Sequence, residues 1–450
     1  MSRGVLQGWD SRTTFVLALS AAAVGLGNLW RFAWLAGEHG GAPFVATYIA
    51  CLFLVACPML IAEVIIGSHG RGSPLGAIRW AADRSLRSRG WVLVGLGACV
   101  TGFLILSYLS VVAGWSLAFA RQLQAGAFSA ASAQMVGQYF SELLASPGVM
   151  LRWQTLFYLL VAVVALLGIR RGVGLMAWFV VPGLMTLMGV LVLFALDNGD
   201  LPATQEFLFS FRLIDFDYGS VLAALGHAFF TLGVGVGTGI CFGAYAPVRV
   251  PIGRSVIAVA LFDLVFALAI GLAVFPLVFA NNIEPSMGPG LLFVSLPYAF
   301  GNMLQGELFG ALFFLMVVLA LLGSAVALIE PILGFVMQAM RCTRAFAVFL
   351  VVLAAWLLSL AVALSFNIWS EALWFERWNL FELLDQLTVQ WLLPLVSLGL
   401  VVFVGWRMRP AILRDELSRE TDLFYSQWLL WLRYIAPPAT IVVLLSFFVL

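Results

Sequence analysis

Apolar runs of about twenty residues recur along the whole of this chain, and that recurrence leaves few folds open. A run of that length crosses the hydrocarbon of a bilayer as one helix. Eleven such runs can be counted, at roughly 13–37, 42–68, 91–120, 153–170, 175–196, 219–246, 254–281, 307–339, 345–366, 386–406 and 428–450. They take up most of 450 residues, 63% of them hydrophobic and 10% charged, so no soluble domain has room. The expectation is an all-α polytopic membrane protein of eleven spans forming a single domain. The first run starts near residue 13 without a clear small-residue cleavage site and reads as a retained span, not a signal peptide.

All 23 basic residues are arginine. With the N-terminus in the cytoplasm, 17 of the 23 fall in inside segments, among them Arg3, Arg12, Arg71, Arg79, Arg170, Arg171, Arg341, Arg344, Arg407 and Arg409. The positive-inside rule then places the N-terminus in and, for an odd span count, the C-terminus out. A multi-pass protein of a bacterial inner membrane is expected. A net charge of +1 argues against nucleic acid as a partner. Five cysteines without a CxxC pair, and three histidines, suggest neither a disulfide framework nor a metal cluster.

Two spans carry unusual glycine clusters: AAAVGLGN at 21–28 and TLGVGVGTG from Thr231 to Gly239. Glycine has the most backbone freedom to lose in a helix, so both clusters mark breaks. A break in a bilayer leaves N–H and C=O groups unpaired unless something polar binds there, and matched breaks in two halves point to a transporter's substrate site. Spans 1 and 6 are the first elements of two five-span halves. Five is odd, so the second half is inverted; the repeats run about 9–196 and 218–406, with an extra helix at about 427–450.

Ionisable and amide groups inside spans are functional candidates by default, since a carboxylate at bilayer depth costs roughly 2.5–3.5 kcal/mol on insertion scales. Asn28 in the first break and Asp263 in span 7 lead that group; as purely structural groups they would tie helices together. Glu63 in span 2 is expected to accept hydrogen bonds from the unwound backbone, and Glu330 before Pro331 to serve a kink. The outer loop at 197–217 is acidic and reads as a solvated face. The segment GPGLLFVSLP, Gly288 to Pro297, is apolar enough to hold a helical lid over the outer mouth. No HExxH or GxSxG motif appears, and no enzyme is expected.

The segment from Trp9 to Phe32, with GLGNLWRF at its end, resembles the first span of the neurotransmitter:sodium symporters. Gly40–Gly67, SYLSVVAGW (Ser107–Trp115), AFFTLGVG (Ala228–Gly235), the GPG loop and LLGSAVALIEP (Leu321–Pro331) are similar to that family in the same order. The eleven-span form resembles its bacterial branch. The resemblance implies sodium-coupled import of a small organic substrate by alternating access, with one or two sodium ions, no organic cofactor, and an amino acid and the lipid bilayer as partners.

Carried over residue by residue, it places a first sodium ion on the Ala23 carbonyl, Asn28 and Thr231, with Asp263 either a fourth ligand or the negative charge that replaces chloride. A second falls on the carbonyls of Ala21 and Val24 with Ala320 and Ser324; where the family has a side-chain oxygen just before that serine, this chain has Gly323. The substrate would meet Ala22, Ala23, Gly25, Leu26, Gly27, Ile105, Leu109, Phe230, Thr231, Gly233, Val236, Ser324 and Leu328. Its carboxylate would lie on the N–H groups of Leu26 and Gly27. Leu109 replaces a tyrosine of the family, and Tyr108 stands one position earlier, about 100° round the helix. Gly233 and Val236 are smaller than in a leucine-selective relative, which favours hydrophobic amino acids, aromatic ones included. Arg31 and Asp385 match an outer gate. Trp9 matches an inner plug, while the inner ion pair is replaced by Leu6 and Gln338. His227 reads as a satisfied polar neighbour of Arg31. The competing reading is a sensor or scaffold of the same fold that binds without transporting.

Overall fold

The computed structural model describes residues 8–210, 216–283, 290–375 and 377–446. Leu6, Arg3, Arg212, Asp215, Gly288 and Pro289 lie outside them. The described residues are helical throughout, apart from connecting turns and one isolated bridge between Trp374 and Trp378.

Span 1 is Arg12–Ala23 followed by Gly27–Glu38, bent by 50°. Spans 2 to 5 are Ala42–Gly70, Arg89–Gln124, Pro147–Leu166 and Ile169–Asn198. Spans 7 to 11 are Ile252–Ala280, Gly306–Met340, Arg344–Leu364, Leu380–Arg407 and Asp422–Ser446. Among the described residues, nine helices are thus long and apolar enough to cross a membrane, and ten with the bent pair taken as one. The difference from eleven is span 6, which divides into two short helices, Tyr218–Thr231 and Thr238–Tyr245. Between them Gly233, Gly235 and Gly237 sit at φ of +60°, +87° and +76°, a region that only glycine enters without strain.

Among the described residues spans 3 and 8 share the most extensive contact, and span 2 lies against the second half of span 6, Thr238–Tyr245. That second contact is backbone on backbone: a Cβ on Gly67 would stand 1.9 Å from the Ile240 carbonyl oxygen. Span 3 is tied to spans 4 and 9 by a buried hydroxyl network, in which Ser359 Oγ lies 2.9 Å from Ser110 Oγ and 2.7 Å from the Tyr158 hydroxyl.

The segment after span 7 does contain a helix, Leu291–Gly301. Phe293 packs it onto Trp115 and Phe119 towards the C-terminal end of span 3 and onto Phe140 of the helix Ala133–Ala145. In the acidic loop two carboxylates have a more specific task than solvation. Asp200 caps a helix at Leu201–Phe209, and Asp217 forms a capping box with Ser220 at the start of span 6. The Ser220 backbone N–H and hydroxyl hold the Asp217 carboxyl below the usual carboxylate range.

Candidate functional site

Helical geometry in span 1 stops after Ala23, where Val24 turns to an extended ψ of 108°, and resumes as a wide turn over Gly27–Phe32. In span 6 the three left-handed glycines hold the chain open. The freed N–H groups are met by a side chain, as expected for Glu63. Its fully buried carboxylate accepts from Gly235 N at 2.7 Å and from Gly239 N at 3.1 Å. A buried polar backbone group needs such a partner, and a charged acceptor gives a stronger bond than a neutral one.

Where the two breaks face each other, an oxygen cluster forms. Asn28 Nδ2 donates to Asp263 Oδ1 at 2.9 Å, and Asn28 Oδ1 accepts from Gly25 N at 3.3 Å. The Thr231 hydroxyl lies 2.9 Å from Asp263 Oδ1 and 3.3 Å from Asn28 Oδ1. The Tyr48 hydroxyl donates to Asp263 Oδ2 at 2.8 Å. Asn28 and Asp263 are fully buried and Thr231 nearly so, and no basic side chain pairs with the carboxylate among the described residues. Three expected residues from spans 1, 6 and 7 are therefore brought together, with Ala23 beside them on the wall of the adjoining cavity. A set of neutral oxygens around one carboxylate suits a hard monovalent cation. Tyr48 was not singled out from sequence; a hydroxyl inside an otherwise apolar span was the available signal.

Ser324 in span 8 reaches the other side of the first break. Its hydroxyl lies 3.2 Å from the Ala22 carbonyl and 3.3 Å from that of Val24. Ala320 is buried one turn earlier on the same face. Gly323 faces Ala21: a Cβ there would stand 2.4 Å from the Ala21 carbonyl oxygen. Glycine at 323 thus sets how closely span 8 approaches span 1, and no side-chain oxygen fits.

All of the expected substrate residues, Ala22, Ala23, Gly25, Leu26, Gly27, Ile105, Leu109, Phe230, Thr231, Gly233, Val236, Ser324 and Leu328, line one cavity. Sequence reasoning missed Leu19, Leu60, Leu232, Thr238, Ala327 and Leu393 on its walls. Its volume is about 50 Å³, room for roughly three to five waters. Leu109 points into it, and Tyr108 does not. Tyr108 lines a second, larger cavity of about 390 Å³ and meets Thr388 Oγ1 at 3.3 Å.

Between the two cavities Arg31 Nη2 bonds Asp385 Oδ2 at 2.7 Å, and the guanidinium stands 4.9 Å over the Phe230 ring. On the opposite side Trp9 is buried, with Nε1 donating to Ile169 O at 3.2 Å and the ring edge-on to Phe242 at 5.3 Å. Gln338 pairs with Ser73, and Arg71 donates to the carbonyls of Ala244 and Ala246 at the C-terminal end of span 6.

Two expectations are corrected. His227 is not a satisfied polar neighbour: neither ring nitrogen has a hydrogen-bond partner among the described residues. It packs as an aromatic against Tyr48 and Phe32, and the Tyr48 hydroxyl is already committed to Asp263. Glu330 serves an ion pair instead of the kink alone. It bonds Arg344 at the start of span 9, whose Nε also donates to Ala165 O at 2.6 Å.

Two facing breaks, a carboxylate-centred oxygen cluster and an apolar cavity beside it are the architecture of an ion-coupled carrier. The sequence profile of the sodium:neurotransmitter symporters matches residues 7–129 and 133–450. The chain belongs to this family. It is a sodium-dependent transporter, not an enzyme. Among its relatives in the family, a sodium-dependent transporter of Bacillus subtilis, YhdH, is 30% identical over 441 residues, covering 97% of both chains. A sodium-dependent transporter of Haemophilus influenzae is 26% identical, covering 98% of both. The crystal structure of the family member MhsT in complex with L-phenylalanine superposes with a TM-score of 0.90 at 33% identity, over 98% of this chain and 99% of that one.

Proposed function

We propose that this protein is a sodium symporter for hydrophobic amino acids, aromatic ones included, working by alternating access. The observation that carries the reading is that the apolar cavity and the Asn28–Thr231–Asp263 cluster share the walls of both breaks. An ion on Ala23 O, Asn28, Thr231 and Asp263 would then order the same backbone that holds the substrate. A second ion would lie among Ala21, Val24, Ala320 and Ser324. The substrate carboxylate meets the N–H groups of Leu26 and Gly27, and its side chain the apolar walls; a bulky one enters as Leu109, Val236 and Leu328 yield. The MhsT complex supports phenylalanine as the first ligand to try. Arg31 and Asp385 close the outer side and Trp9 the inner one. We place the repeats at 9–196 and 218–406, with the N-terminus in the cytoplasm of a bacterial inner membrane.

Equilibrium binding of labelled L-phenylalanine to detergent-purified protein, in sodium and in choline, tests the reading. Sodium-dependent saturable binding supports it. Absence of binding by every hydrophobic amino acid in sodium sinks it. A sensor of the same fold is the second reading, favoured by Leu109, which leaves the carboxylate without a side-chain hydroxyl.

A further inference from the structure

On the face that the arginine bias assigns to the cytoplasm, a cleft of about 530 Å³ opens between the start of span 1 and the turn joining spans 4 and 5. Its charged groups are Asp10, Arg170 and Arg171. Arg170 is paired with Asp10, and Arg171 is exposed with no hydrogen bond or ion pair among the described residues. The cleft therefore carries one uncompensated positive charge. Beside it stand three apolar side chains left open by the protein: Leu167 at 57% exposure, Leu175 at 55% and Trp178 at 49%. The Trp178 indole donates to Thr14 Oγ1 at 3.0 Å, which fixes it across the mouth between spans 5 and 1.

We propose that this cleft binds the headgroup of an anionic phospholipid of the inner leaflet. The phosphodiester, with one negative charge, is taken by Arg171, whose planar fork suits phosphate oxygens. Leu167 and Leu175 meet the upper acyl chains, and Trp178 sits at headgroup depth, where indoles concentrate. Basic pockets between membrane helices on the cytoplasmic side have this chemistry. A free phosphate ion would use Arg171 but not the leucines, so the apolar rim selects the lipid. The occupant would span the same junction that Trp9 closes through Ile169, and would hold the inner end shut.

The test is native mass spectrometry of the full chain with phosphatidylglycerol or phosphatidylcholine of identical acyl chains, with and without inorganic phosphate. Expected are preferential retention of phosphatidylglycerol, no displacement by phosphate, and retention reduced about five-fold in Arg171→Gln, the value of one arginine at an anionic surface. Arg79→Gln, at an exposed arginine elsewhere on the inner face, should keep it, and Arg171→Lys, which keeps the charge but not the fork, should keep part of it. Equal retention of the two lipids by the wild type overturns the proposal whatever the variants do. So does displacement by phosphate alone, or an equal loss in Arg79→Gln, which would mark diffuse surface charge.

Discussion

Asp263 is where the ion reading can be broken with least damage to the fold. Asp263→Asn keeps the volume and one acceptor oxygen but removes the charge. The new amide NH₂ meets hydroxyl groups at Tyr48 and Thr231 that can accept as well as donate, so the cluster can stay hydrogen-bonded. A unit charge about 4 Å from a cation is worth about 4 kcal/mol at an effective dielectric constant of 20. Roughly half is offset because a neutral amide no longer has to be desolvated as an ion. The remaining ~2 kcal/mol corresponds to a loss of about thirty-fold in sodium affinity. The assay is scintillation-proximity binding of radioactive sodium to purified protein, which needs no knowledge of the substrate. A thermal melt of the same sample confirms that the variant is folded. Sodium affinity unchanged in a folded Asp263→Asn protein would refute the reasoning, because the only carboxylate in the cluster would then not be facing the ion.

Other perturbations read other parts of the site. Gly323→Thr should lower thermal stability by about 1–3 kcal/mol through overpacking against the Ala21 carbonyl, and a neutral result in a melt would mean that spans 1 and 8 do not approach so closely. Glu63→Gln leaves one of two buried N–H groups without its charged acceptor and should cost about 1.5–3 kcal/mol by the same measurement. Leu109→Tyr restores a hydroxyl to the cavity; amino acids should gain about ten-fold in affinity over their methyl esters, and an equal gain for both would place the carboxylate elsewhere. Arg31→Gln opens a partly solvated pair, so its effect on stability should be below about 1 kcal/mol, while bound substrate should dissociate severalfold faster; unchanged dissociation would remove the pair from the exit path.

Much of this could be read from the chain because membrane spans and their interruptions are local signals. Hydropathy located the long helices, and the glycine runs located both breaks, since positive φ at Gly233, Gly235 and Gly237 is a property of those residues themselves. The family resemblance then assembled the cavity wall. What escaped were pairings across long stretches of sequence. Tyr48 and Asp263 are separated by 215 positions, and nothing near either announces the other. Glu330 was read with its neighbour Pro331, whereas its partner Arg344 begins the next span. The resemblance makes His227 a polar neighbour of Arg31, and aromatic packing wins because the nearby hydroxyl is already engaged. Gly323 looked like the loss of a ligand until the Ala21 carbonyl showed that no Cβ fits there.

The central claim is that a sodium gradient drives an amino acid through the cavity between the two breaks. It is tested most directly by uptake of a panel of radiolabelled amino acids into proteoliposomes, with an inward sodium gradient and with potassium or choline in its place. The account predicts accumulation of one or more hydrophobic amino acids above the external concentration in sodium only, and its loss in Asp263→Ala. Folded protein that accumulates no amino acid under any gradient would contradict it.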